Sequence, residues 1–236
     1  MDAFTSAEWD AIWLSLRVAL WCTVAVLPPA VLMAWLLARV NFPGKVLVDA
    51  LVHLPLVVPP VVTGYLLLIL LGRNGPLGAW LEDWFGIVFA FRWTGAVAAS
   101  AVMAFPLAVR AIRIAIESVD PQMERAARSL GAGRVRAFLR VTLPLAAPGV
   151  VAGAVLAFAR SLGEFGATIT FVSNIPGETQ TIPSAIYAYI QTPGGDAAAL
   201  RLTIMSILLS LAALVASEFL ARRMHPLRFR PGRSTS

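Results

Sequence analysis

Residues 120–149 read DPQMERAARSLGAGRVRAFLRVTLPLAAPG. Asp120 is a good N-cap and Pro121 fits the first helical position, so a short helix is expected to start there and run to about Leu130. Gly131 supplies a left-handed stop. Arg134 to Val141 then reads as a second short helix, and Pro144 and Pro148 mark the return to an apolar run. The stretch is thus two small helices joined by a sharp glycine turn. A linker needing only to be soluble would not require that shape.

On both sides of it the chain is apolar. The 236 residues are 58% hydrophobic and 14% charged, with a mean hydropathy of +0.78. A soluble domain of this length would have too little polar surface to cover itself, so the expected solvent is lipid. The net charge of +6 does not point to nucleic acid, because the basic residues sit between apolar runs instead of forming a patch. The single Cys22 lies inside an apolar run and excludes an internal disulfide. Met1 to Asp10 carries Asp2, Glu8 and Asp10 and no Lys or Arg, so the first apolar run is expected to be retained, not cleaved as a signal peptide.

A bilayer core of roughly 30 Å needs about 20 apolar residues in a helix. Five runs meet that need, over residues 11–38, 46–71, 94–116, 143–172 and 202–220. The segment Ile182 to Ile190 is apolar but too short to cross; it reads as a re-entrant or surface helix, tolerable at depth only under a cover of protein. The expected fold is all-α, a polytopic membrane bundle of about five spans forming a single domain over 1–236.

Charge placement gives direction. One set of alternate connections carries Arg39 and Lys45, then the seven arginines between Arg110 and Arg140, then the five between Arg222 and Arg233, fourteen of the 19 basic residues. The other side holds Arg73, Arg92 and Arg201. The N-terminus is expected outside and the C-terminus in the cytoplasm. Trp9 and Trp13, with Trp80, Trp84 and Trp93, fit an outer interfacial belt.

The loop at 120–141 resembles the cytoplasmic loop of ABC-importer permeases, whose pattern is E-A-A, three residues, G, nine residues, I-x-L-P. Ala126-Ala127, Gly131 and Val141-Thr142-Leu143-Pro144 stand at matching spacing. Arg125 replaces the Glu, with Glu124 one place earlier, and Val141 replaces Ile. The resemblance implies a type I importer permease in which Glu124, Ala126, Ala127, Gly131 and Ala132 form a coupling helix seated on an ATPase subunit. The alternative is a basic amphipathic linker lying against anionic headgroups. Lys45 is followed by Val46, so the chain has no G-x-x-x-x-G-K-[ST] loop. ATP would be bound by a partner, with no cofactor and no catalytic residue here. With two histidines, at 53 and 225, no metal site is expected.

The second informative stretch is Phe158 to Thr168, FARSLGEFGAT. Arg160 and Glu164, four apart, share a helical face and neutralise each other. A lone charge at mid-bilayer costs about 2.5–3.5 kcal/mol on insertion scales. The pair either lines a translocation path or fixes helix packing. The L-G-E-F-G-A-T run and its continuation through Thr181 resemble molybdate-type permeases within the molybdate, tungstate and sulfate group. That resemblance implies a homodimer, two ATPase copies, an external oxyanion-binding protein and molybdate import across the inner membrane, with sulfate or tungstate as alternative cargo. In span two, Leu54 to Gly64 holds three prolines and a glycine. Such breaks face a cavity or another helix, making Pro59, Pro60 and Thr63, with Thr168 in span four, candidates for the gate or path; a packing kink is the alternative. Arg17 is read as snorkelling outward, not as an anion ligand. A secondary transporter without an ATPase would usually show repeated halves, and none is evident.

Overall fold

The computed structural model describes residues 4–223 and, among them, helices without strands. They are α1 (Ser6–Arg39), α2 (Lys45–Val57), α3 (Pro60–Leu71), α4 (Pro76–Phe85), α5 (Trp93–Ser118), α6 (Pro121–Ser129), α7 (Arg134–Leu145), α8 (Ala147–Leu162), α9 (Gly166–Val172), α10 (Ile182–Ile190) and α11 (Asp196–Arg223). The basic tail, from His225 on, lies outside the described residues. Ser6–Arg39, Trp93–Ser118 and Asp196–Ala216 are each long and apolar enough to cross a bilayer. The α2–α3 pair and the α7–α8 pair, bent by 111° and 73°, bring the total to five if each crosses as one unit.

The packing is that of a membrane protein. Lipid tails are as apolar as leucine, so helices gain little from hiding apolar surface and associate through close contact of small residues. The core accordingly runs on alanine: Ala30 and Ala34 of α1, Ala104 and Ala108 of α5 and Ala157 of α8 all lie in the largest buried cluster. On α8, Gly149, Gly153 and Ala157 repeat every four residues. A Cβ at Gly149 would stand 2.0 Å from the Ala115 Cβ, and one at Gly153 would stand 3.2 Å from the Ala108 carbonyl oxygen. The glycines of α8 therefore lie directly against the Ala115 and Ile112 side chains and the Ala108 and Ala111 carbonyls of α5 over two turns.

Helix breaks follow the sequence. Val58 precedes Pro59, which precedes Pro60; both residues are pushed into extended backbone, and α2 stops at Val57. The stretch 143–172, read from sequence as one span, instead holds the end of α7, all of α8 and α9. The α8 segment ends at Gly163, and the chain turns through Glu164 and Phe165 before α9 begins. Pro144, which cannot donate to the helix ladder, is reached through a π turn at Phe138–Thr142, where Leu143 N–H bonds the Phe138 carbonyl and α7 continues to Leu145.

The first and last helices are tied at one end. Thr5 and Glu8 form a capping box, and Glu8 Oε1, fully buried, also accepts from Arg201 Nε at 2.9 Å. Beside this pair, α10 packs against α1 and α11, with Ile182 N–H donating to Ser15 Oγ at 2.7 Å.

Gly149→Leu should lower the thermal unfolding midpoint of the detergent-purified protein by the equivalent of about 1–3 kcal/mol of overpacking or more. Gly133→Ala, whose new Cβ would meet nothing within 4 Å, should leave it within about 0.5 kcal/mol. Equal behaviour of the two would refute the α5–α8 contact.

Candidate functional site

Two places bring the sequence candidates together. The first is the loop. Asp120 caps α6 by accepting from Gln122 N–H at 2.8 Å. At the other end Gly131 N–H bonds the Arg128 carbonyl and Ala132 N–H bonds the Ala127 carbonyl, the two bonds of a Schellman stop. That stop needs φ > 0, and Gly131 has φ +91. So Ala127, Gly131 and Ala132 are one backbone unit, with Ala126 a turn back accepting from Leu130 N–H. A four-residue connection, Leu130 to Gly133, then reverses the chain into α7.

Sequence reading missed what holds this unit down. Arg39, at the end of α1, donates to the Ile116 and Val119 carbonyls at 3.0 and 2.6 Å, closing the last turn of α5. Its Nε lies 3.6 Å from a Glu124 carboxylate oxygen. A cation at a helix C-terminus meets both the free carbonyls and the dipole. One side chain thus joins α1, α5 and α6, and Glu124, displaced by one place from the family position, is Arg39's partner. The loop also exposes apolar side chains among its arginines: Leu130 is 89% exposed, and Met123, Val135 and Leu139 are exposed too. Such a patch on a polar element suits a contact with a protein or a membrane surface. Its only sequence signal was Leu130 standing before the glycine stop.

The second place is the crossing of α3 and α9. A Cβ at Gly64 would fall 2.5 Å from the Ala167 carbonyl oxygen, and one at Gly166 would fall 2.8 Å from the Pro60 Cβ. The broken ends of two spans therefore lie against each other, and Pro59, Pro60 and Thr63 on one side are brought to Glu164 and Thr168 on the other. Arg160 and Glu164 do pair, at 2.6 Å, with the Glu164 side chain 1% exposed and that of Arg160 26% exposed. The pairing spans the end of α8 rather than lying within one helix. The second Glu164 oxygen accepts from Ala167 N–H at 2.8 Å, so the carboxylate also caps α9. Thr168 donates its hydroxyl proton to the Phe165 carbonyl at 2.9 Å, which commits its single donor within the break.

Other charged positions are placed more simply. Arg17 stacks 3.8 Å over the Trp93 ring, a cation–π contact at the start of α5. His53 Nδ1 sits 2.9 Å from the Asp49 carbonyl oxygen, and Asp49 also pairs with Arg113. Among the described residues no group of three His, Cys, Asp or Glu is placed to hold a metal.

Residues 30–226 match the family described as binding-protein-dependent transport system inner membrane component. The chain is 62% identical over 218 residues to the molybdenum transport system permease protein ModB of Escherichia coli (strain K12), covering 92% of this chain and 95% of that one. It is 59% identical over 217 residues to the ModB protein of Haemophilus influenzae, covering 92% and 95%. Among solved structures, a bacterial ABC transporter involved in import of the acidic polysaccharide alginate superposes with a TM-score of 0.74 at 20% identity, covering 94% of this chain and 82% of that one; the fold is shared.

Arg160→Met alone leaves the Glu164 carboxylate buried beside no cation and should cost about 3–5 kcal/mol. The double change Arg160→Met with Glu164→Gln should recover at least half of that loss. Additive costs in a thermal-unfolding double-mutant cycle would show that the two do not interact.

Proposed function

The chain belongs to the binding-protein-dependent transport system inner membrane components, and from that membership we propose that it is the channel-forming permease subunit of an ATP-driven importer moving molybdate across the inner membrane by alternating access. The observation that carries the mechanism is the Schellman-stopped loop, clamped to the span ends by Arg39 while offering Leu130 and Met123 outward. An element held rigidly to the bundle and apolar on its free side can pass force from a neighbouring protein into the spans.

The neighbour is an ATPase subunit seated on α6, because this chain has no phosphate-binding loop of its own. Two copies of the permease pair, each with one ATPase, and the loop faces the cytoplasm as the arginine bias requires. A binding protein loaded with oxyanion docks on the opposite side, on the loops around α4 and between α9 and α11. ATP draws the two ATPases together, α6 and α7 follow as rigid bodies, and the spans tilt outward-open. Hydrolysis reverses the tilt.

The anion then passes the α3–α9 crossing. Tight binding in the path would hold the cargo, so conduction favours weak contacts from hydroxyls and backbone dipoles. Pro59, Pro60 and Thr63 form the gate on one side. On the other, Glu164 neutralises and holds Arg160, leaving guanidinium donors for the passing dianion, while Thr168 stays bonded within the break. Molybdate is favoured over sulfate or tungstate as cargo by the level of identity to the molybdenum permeases.

Reconstituted with its ATPase and binding protein, the complex should hydrolyse ATP faster when the binding protein carries molybdate than when it carries sulfate. Gly131→Leu should abolish that stimulation by straining the left-handed stop. Full stimulation in the variant would rule out the loop as the coupling element, and equal stimulation by sulfate would rule out the cargo.

A further inference from the structure

Beside the loop lies a pocket of ≈430 Å3 lined by Trp35, Arg39, Glu124, Arg125, Arg128 and Arg134, among others. Four arginines and one carboxylate give it a net charge of about +3 once Arg39 and Glu124 are set against each other. Among the described residues the guanidinium groups of Arg125, Arg128 and Arg134 have no hydrogen-bond or ion-pair partner. Two further donors add to this. The Trp35 indole Nε1–H is buried without an acceptor, and so is the Arg39 Nε–H, whose Glu124 neighbour at 3.6 Å is beyond hydrogen-bond range. Buried donors call for an acceptor, and the unpaired guanidinium groups around the same hollow favour a negatively charged one. Planar guanidinium forks favour an oxyanion that can take two hydrogen bonds at once.

We propose that this pocket, between the end of α1 and the two loop helices, is a binding site for a tetrahedral oxyanion, supplied either free in solution or as the phosphate of an anionic lipid headgroup. Its walls come from separate elements: Trp35 and Arg39 from α1, Arg125 and Arg128 from α6, and Arg134 from the start of α7. An anion there bridges the bundle to the loop and draws α6 toward α1, reinforcing the single Arg39–Glu124 link. Where the loop couples to an ATPase, occupancy stiffens that joint; this consequence rests on the importer reading, whereas binding itself does not.

The purified chain in neutral detergent, alone and assembled with its ATPase, is titrated by calorimetry at fixed ionic strength with molybdate, with inorganic phosphate and with short-chain phosphatidylglycerol. One equivalent of at least one probe should bind per chain. Arg128→Gln and Arg134→Gln, from different helices, should each weaken it about tenfold or more, the loss expected for one charge-assisted hydrogen bond. Binding of molybdate or phosphate identifies a free anion, and binding of the lipid alone identifies a headgroup. Should either variant fail to fold, displacement of the bound probe by pyrophosphate on the wild-type chain decides the matter, since an anion site is competed and a detergent artefact is not. The proposal is overturned if no probe binds, if binding survives both substitutions, or if it vanishes on assembly with the ATPase, which would assign the arginines to a carboxylate of that partner. Transport is not measured here, so loss of the importer reading in proteoliposomes and loss of the anion site are separate results.

Discussion

Backbone polar groups in hydrocarbon must be satisfied within the protein, and two of this chain's helix breaks, between α2 and α3 and between α8 and α9, are packed against each other. Everything else in the bundle accommodates that constraint. The break at Val58–Pro59 loses ladder bonds to two prolines; the break at Gly163–Phe165 frees the start of α9. Each is covered by the other. Gly64 admits the Ala167 backbone, Gly166 admits Pro60, and the Glu164 carboxylate takes up the Ala167 N–H. The charge that seems most out of place in the sequence is thus a cap for a helix that starts in mid-fold, with Arg160 keeping it neutral overall. Pro60 and Glu164, which help to close these breaks, are also residues that the sequence offered as candidates for the path.

The core where the long helices meet is built differently. Where α1, α5 and α8 meet, glycines and alanines let the helices come close, with Ile112 packed directly on Gly153 and Ile116 buried toward the loop end. Dispersion over such a close seam is many small contacts in register. Arg39 ties the loop helix α6 to the ends of two of these packed helices, α1 and α5.

What could be seen in the sequence was what local chemistry sets. Asp120, Pro121 and Gly131 mark the ends of α6 by capping rules that need no tertiary partner, and Pro59-Pro60 announces its own break. The interruption after Leu162 was hidden because it has no proline and the apolar run continues through it; the turn is made by packing of Gly166 on Pro60, across a hundred residues. The Arg39 clamp was hidden for the same reason, its carbonyl partners lying 77 and 80 positions away. By contrast the Gly149, Gly153, Ala157 repeat stands in the sequence as a small-residue pattern suited to a close helix contact, but spacing does not name the partner, and α5 is given by the fold. Arg160 and Glu164 were paired correctly on the premise of one helix that the chain does not form; side-chain reach made the pairing tolerant of the wrong backbone.

The tie between Glu8 and Arg201 spans 193 positions. Chains enter the bilayer as they are made, first segments first. The carboxylate near the leading end is therefore in place long before its guanidinium exists, and until then it has only Thr5 for company. The clasp can shut only after nearly the whole polypeptide has been synthesised. A chain stopped short of residue 201 leaves the buried Glu8 carboxylate with Thr5 alone as its partner.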